Sequence, residues 1–593
     1  MKSEIRKRLA ALRAVMQKSG IDAWYISGTD PHSSEYLPIR WQTRQFISGF
    51  TGSYGVLVVT QKDAALWTDS RYFLQAEEQL EGTGIVMQKL RVPEAVLPEQ
   101  WILEKLPAES RVGVDTQTIS TEGFRQFENV LKKGNIALVA TGDLFEQIWQ
   151  NRPDFPANEV FEFELKYTGL SRKEKQEQLI TATTKAGANY HLITMLDELA
   201  WQYNLRGSDI LYNPVFCAYA LVGKNKSYLF VNKNKLNDKT LDSLHNDGVE
   251  ILDYEKFYDF LSELKGQKIY LDTNTANFAA FSNIRLKNEI VEGTSIVSLL
   301  KAKKNPVELE GFRTAMLKDG VALVEFLFWL KQTVGKSAVS EFTIGEKLKE
   351  CRAKQEGFMG ESFPPIVGYK EHGAIVHLSV NPNNALPVKA DGILLFDSGG
   401  QYFDGTTDIT RTVALGRISE QQRIDYTLVL KGMVALSMAK FPYGTKGCHL
   451  DILARQPLWQ NGMNYGHGTG HGVGHFLNVH EGPMAIRQEY NENMIEPGHV
   501  LSNEPAFYRK GQYGIRTENM IVCKEMEETQ YGKFLGFETL TLCPIDLELI
   551  KTDLLSFEET QWLNKYHQMV NQKLKPCLAK EYHEFLDDLT QQI

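Results

Sequence analysis

The chain has 593 residues, 42% of them hydrophobic and 23% charged, with 65 Lys and Arg against 74 Asp and Glu and a net charge of −9. That length exceeds one ordinary core, and the composition is that of a globular protein. The acidic balance argues against nucleic acid or an anionic membrane surface as partner, and no apolar run approaches the ~20 residues that span a bilayer.

The N-terminal stretch MKSEIRKRLAALRAVMQKSG carries charges where a secretory signal needs its apolar segment. Ile5, Leu9, Leu12 and Met16 recur at helical spacing instead, and Gly20 is suited to end the helix. The helix–glycine–strand unit KSGIDAWYI from Lys18 recurs as KAGANYHLI from Lys185, after a second helical stretch beginning near Arg172. Each unit is followed by a strand–turn–strand pattern, GVLVVTQKDAALWTD from Gly55 and AYALVGKNKSYLFVN from Ala218. The repetition predicts two related α/β domains.

The polar, proline-bearing segment WQNRPDFPANEV from Trp149 marks a first boundary, and KAKKNPVELEGF from Lys301 a second. There a basic turn leads to Pro306, placed for the first turn of a long helix carrying Leu309, Phe312, Met316, Val321, Leu323 and Phe326. The expected domains are 1–150, 151–303 and 304–593, the last opening with helices and then turning strand-rich. Cys217, Cys351, Cys448, Cys523, Cys543 and Cys577 lie far apart with no CxxC pair, which suits buried thiols in a reducing cytoplasm.

In the third domain the apolar strand Gly392–Phe396 ends in Asp397, and eleven residues later comes Asp408 within TTDITRTVAL. Gly399-Gly400 and Asp404-Gly405 supply turns between them, so the two strands are expected to pair with both aspartates on one face. Facing like charges require a cation between them. Arg411 is one candidate and a metal ion another. Residues 466–483 read GHGTGHGVGHFLNVHEGP and hold four of the thirteen histidines, His467, His471, His475 and His480, where even scatter would place fewer than one. Imidazole is the commonest metal ligand and a proton carrier near neutral pH, and the glycines let a substrate or ion approach the backbone.

Glu504 stands before a proline in LSNEPAFY, and Glu518 follows fourteen residues later in YGIRTENM. Asp397, Asp408, His471, Glu504 and Glu518 thus offer four carboxylates and one imidazole. One divalent ion cannot neutralise that set, whereas two ions bridged by shared carboxylates can. Oxygen-rich donors favour a hard or borderline metal, Mn²⁺ foremost, and two-metal sites activate water and clamp a substrate oxygen.

The order Asp, eleven-residue step, Asp, His, Glu, Glu resembles that of the pita-bread metallopeptidases. Within them the chain is similar to the cytosolic three-domain Xaa-Pro aminopeptidases, the aminopeptidase P family. SEYLPIRWQTRQFISGFTGSYG and LWTDSRYFLQA resemble the family's first domain, and LDELAWQYNLRGSDILYNPVF its second. The histidine loop and NEPAFYRKGQYGIRTEN resemble its catalytic core, and FETLTLCPID with WLNKYH its C-terminal extension.

The resemblance implies an α/β fold of two creatinase/prolidase-like domains and a pita-bread catalytic domain. It implies that Asp397 holds one ion, that His471 and Glu504 hold the other, and that Asp408 and Glu518 bridge both. Glu504 is also the implied base toward water. His377 in AIVHLSV, His467 and His480 are implied catalytic, substrate-contacting histidines, and Arg516 an orienting group behind a ligand. Arg71 in TDSRYF is implied to lie near the substrate.

Other roles stand beside these: His377 as a core histidine in a strand after Ile375-Val376, His475 as a structural one, and Arg71 as a partner of Asp69. The implied activity is removal of one N-terminal residue from short peptides with proline second, by a cytoplasmic homodimer. A bond before proline has no N–H, so a site that attacks the carbonyl without using that N–H suits it. The competing readings are a prolidase-type Xaa-Pro dipeptidase and a non-catalytic peptide-binding module.

Overall fold

A computed structural model of the protein describes residues 2–593. It divides into two compact units, Met1–Glu164 with Leu170–Leu299, and Leu165–Gly169 with Leu300–Ile593.

The first unit contains two six-stranded sheets of the same design. One runs Val86–Lys89, Ala64–Thr68, Val56–Thr60, Ala23–Ile26, Arg111–Val114, Ala137–Ala140. The other runs Val249–Leu252, Ser227–Val231, Ala218–Gly223, Tyr190–Ile193, Lys268–Leu271, Glu289–Glu292. In both, the antiparallel neighbours are the hairpin and the strand before it, and the other pairings are parallel. The repeated helices are Lys2–Lys18, which buries Ile5, Leu9, Leu12 and Met16, and Arg172–Lys185. Gly20 and Gly187 follow them with φ of 63° and 86°, left-handed values that glycine adopts without strain.

In the second unit the long helix spans Pro306–Thr333, capped by the Asn305 side chain on the Val307 and Glu308 N–H groups. It packs with the helix Glu341–Ala353 against a three-stranded sheet in the order Ile366–Tyr369, Ile393–Ser398, Ile409–Ala414. A six-stranded sheet runs Lys440–Pro442, Gly532–Thr539, Asn519–Thr529, Val500–Asn503, Gly470–Gly472, Glu481–Ile486, and the helices Glu420–Ser437 and Gly447–Trp459 cover it. Gly470 is required where these strands meet, because a Cβ there would run into the Ser502 carbonyl.

Two expectations are corrected. The basic segment does not begin as a turn: Lys301 lies in the helix Ile296–Ala302, and Lys301 and Lys304 are buried and both pair with the buried Glu481 carboxylate, Lys301 at 2.6 Å. His377 does not lie in a strand. The strand ends at Tyr369, Lys370 turns the chain at φ 51°, a short 3₁₀ helix spans Lys370–Ala374, and His377 follows in a half-buried turn. All six cysteines are free thiols.

Candidate metal centre

The five expected ligands lie on or directly beside strands of the second unit. Asp397 is opposite Thr410 in the antiparallel pair Ile393–Ser398 with Ile409–Ala414, so Asp408, two residues before Thr410, lies on the same face. Register decides the counter-ion question against Arg411. That residue is opposite Phe396 and so faces the other way, binding the carbonyls of Pro544, Cys543 and Glu518, the Asn519 side chain and the Tyr566 hydroxyl. The cation beside Asp397 is Arg516, whose Nη2 donates to Asp397 Oδ2 at 2.5 Å.

His471 lies on the short strand Gly470–Gly472, between Val500–Asn503 and the edge strand Glu481–Ile486. Its Nδ1 faces the Gly472 carbonyl at 2.9 Å, which fixes the tautomer and leaves Nε2 as a lone-pair donor. That Nε2 is 3.4 Å from Asp408 Oδ2 and 3.5 Å from Glu504 Oε1. Donor atoms of Asp408, His471 and Glu518 all fall within 4.8 Å of one another. Glu518 accepts the Thr410 hydroxyl on Oε2 at 2.8 Å, while its Oε1 and Asp397 Oδ1 are buried with no hydrogen-bond partner. Orphaned carboxylate oxygens beside a lone-pair imidazole are what a hard divalent cation would satisfy, so the donor set fits the expected group.

The electrostatics agree. Burial raises the Asp397 carboxyl, even with Arg516 on it, and raises Glu518 well above the usual range with help from Asp408. Burial also pushes Glu504 up to about 7, against the pull of His471. Burial opposes a charged His471, but the Asp408 bond and the Glu504 charge outweigh it and raise the imidazole to about 9. Without cations these groups hold protons more tightly folded than unfolded. That stability is fully present below the unfolded values and is lost as pH rises through the folded ones, for Glu504 from 4.5 to about 7. Metal binding displaces those protons. The gap in melting temperature between metal-loaded and metal-stripped protein is therefore expected to widen from pH 5 to pH 8.5 in calorimetry. A gap that stays constant would contradict the arrangement.

Of the other histidines, His480 sets its ring edge-on to His471, with centroids 4.4 Å apart. The His467 Nδ1 meets the Gly468 carbonyl at 2.7 Å and its Nε2 meets the Tyr508 hydroxyl at 2.9 Å. Tyr508, which the sequence did not single out, also accepts from Arg516 Nη1 at 2.6 Å, so it links His467 to the arginine on Asp397. His475 is buried against Phe312, its Nε2 only 2.7 Å from where a Cβ on Gly311 would sit, as suits a structural residue. In the first unit Arg71 forks Asp69, Nε to Oδ1 at 2.9 Å and Nη2 to Oδ2 at 2.8 Å.

Residues 310–525 match the profile of Metallopeptidase family M24, and 533–593 match the C-terminal region of peptidase M24. Residues 8–148 and 151–308 each match the Creatinase/Prolidase N-terminal domain. Profile, fold and donor set together define the class, a metallopeptidase with two creatinase-type domains and a pita-bread domain, the fold the sequence had implied. A probable Xaa-Pro aminopeptidase P of Coprinopsis cinerea is 41% identical over 97% of this chain and 96% of its own. Xaa-Pro aminopeptidase 1 of Dictyostelium discoideum is 37% identical over 98% and 94%. The solved X-prolyl aminopeptidase of Caenorhabditis elegans, described as a cytosolic enzyme with a di-nuclear active site, is 33% identical with a TM-score of 0.96, covering 99% of this chain and 100% of that one. The chain belongs to the Xaa-Pro aminopeptidase P family.

Proposed function

We infer that this protein is a metallo-aminopeptidase that hydrolyses the N-terminal Xaa-Pro bond and releases one residue from peptides with proline second. The observation that carries the chemistry is the set of four carboxylates and one imidazole, with Asp397, Asp408 and Glu518 buried, His471 and Glu504 half-buried, and two carboxylate oxygens lacking any protein partner. We assign it two divalent ions, with Mn²⁺ favoured by the oxygen-rich donors. Asp397 would hold one, His471 and Glu504 the other, and Asp408 and Glu518 both. When bound, such a pair acts as Lewis acid toward the scissile carbonyl and makes water acidic enough to attack near neutral pH.

The protein's own groups supply the rest. Glu504 takes the proton of the attacking water and passes it to the basic proline nitrogen. His377, His467 and His480 contact the substrate and stabilise the negative charge on the carbonyl oxygen. Arg516 orients Asp397, and Arg71 serves the substrate end. The reading includes domains 1–150, 151–303 and 304–593, a homodimer, and residence in the cytoplasm. No membrane or nucleic-acid partner belongs to it. Among the described residues no helix is long and apolar enough to cross a membrane.

The test is metal-dependent hydrolysis of Arg-Pro-Pro-type peptides beside the same peptides with alanine second. Single-residue release that stops when proline becomes first is expected. Release of intact Xaa-Pro dipeptides, comparable cleavage before alanine, or action on dipeptides alone would overturn the reading.

A further inference from the structure

One buried ion pair outside the ligand set is built into the backbone that carries the site. Asp451 and Arg455, one turn apart on the helix Gly447–Trp459, are both buried, with Arg455 Nε on Asp451 Oδ2 at 2.6 Å. Arg455 Nη1 donates to the Tyr465 carbonyl at 2.7 Å and to Asn464 Oδ1 at 3.1 Å, and Nη2 donates to the His467 carbonyl at 2.7 Å. Its guanidinium also lies 3.9 Å over the Tyr465 ring. Asp451 Oδ1 accepts the Thr469 hydroxyl at 2.6 Å, which leaves that oxygen to accept from Tyr465 Oη at 2.5 Å. The Thr469 carbonyl then accepts the Glu504 N–H at 2.7 Å. The carbonyls of residues 465, 467 and 469 are thus all fixed, and the last of them holds the backbone of Glu504.

We propose that Asp451, Arg455 and Thr469 are positioning residues that hold His467 and Glu504 at one fixed separation. The inference rests on the reading of those two groups as parts of the reacting set. A buried ion pair is weak as a source of stability, since its desolvation cancels most of its attraction and apolar replacements are often neutral. What this pair supplies is direction. A planar fork reaches two carbonyls two residues apart, which the point charge of a lysine cannot reproduce. Displacing a reacting group by about 1 Å can cost ~10²-fold in rate, so such a brace has a kinetic consequence without touching substrate.

Thr469→Val keeps the shape of the side chain and removes the hydroxyl that joins Asp451 to Tyr465, whereas Thr469→Ser keeps the hydroxyl. The valine variant is expected to lose about 10-fold or more in kcat with KM and bound metal unchanged, and Arg455→Lys to lose as much. Thr469→Ser is expected to restore kcat to within about twofold of wild type. Wild-type kcat in Thr469→Val, equal impairment in Thr469→Ser, or a loss that follows missing metal would each overturn the proposal.

The ring-nitrogen resonance of His467 in ¹⁵N-histidine-labelled protein gives a readout independent of turnover. It is expected to shift in Thr469→Val and return in Thr469→Ser, and no shift in either variant would also overturn the proposal. Should the wild-type protein fail to cleave Xaa-Pro peptides, the functional reading falls, while the resonance comparison still decides the placement.

Discussion

Asp408→Asn is expected to abolish turnover and to remove at least one metal ion while the fold persists. Asp408 belongs to the group of three whose donor atoms fall within 4.8 Å of one another, and its Oδ2 faces His471 Nε2 at 3.4 Å. The amide keeps the size of the side chain but offers one weaker oxygen and no charge. Loss of a partner that merely orients a ligand typically costs ~10–100-fold, so loss of a bridging ligand should cost more, about 10³-fold or beyond. Full activity with two bound ions, measured by elemental analysis, would refute the bridging role.

The parts of this centre that were legible in the sequence are those that local pattern controls. Asp397 could be placed because an apolar run followed by a carboxylate ends a buried strand, and Asp408 because turn residues lie between two strand-like segments. Helix caps and the duplicated helix–glycine–strand units were legible for the same reason. Partners distant in the chain were not. Arg411 looked like a counter-ion because it lies three residues from Asp408, yet strand parity turns it to the opposite face, and the arginine on Asp397 is 119 residues away. Nothing local shows that Lys301 and Lys304 share the Glu481 carboxylate, 180 and 177 residues on. Tyr508 and the Asp451–Arg455 pair carry no local signature either, since their meaning lies in backbone carbonyls and rings brought near by the sheet.

The histidines provide the second large contrast, because one loop holds imidazoles expected to behave in three ways. His471→Ala should empty part of the centre, since its Nε2 is the only neutral donor facing Asp408 and Glu504 in the expected set. His377→Ala, His467→Ala and His480→Ala should keep their metal and lose rate, by the ~10²–10⁴-fold typical of groups that carry protons or stabilise an oxyanion. For His467 the structure adds a reason: its Nε2 meets Tyr508, the hydroxyl that Arg516 also reaches, so truncation leaves that hydroxyl without its imidazole. His480 touches the ring of His471 edge-on and not its donor nitrogen, so metal should survive its removal. His475→Ala should lose stability instead, by roughly 1–3 kcal/mol for a buried side chain, with kcat close to wild type. Steady-state rates, bound metal and melting temperature on the same five variants separate these outcomes. An equal collapse of rate in His475→Ala and His467→Ala would mean that the loop is a single structural unit, and metal loss in His467→Ala would place that imidazole among the ligands.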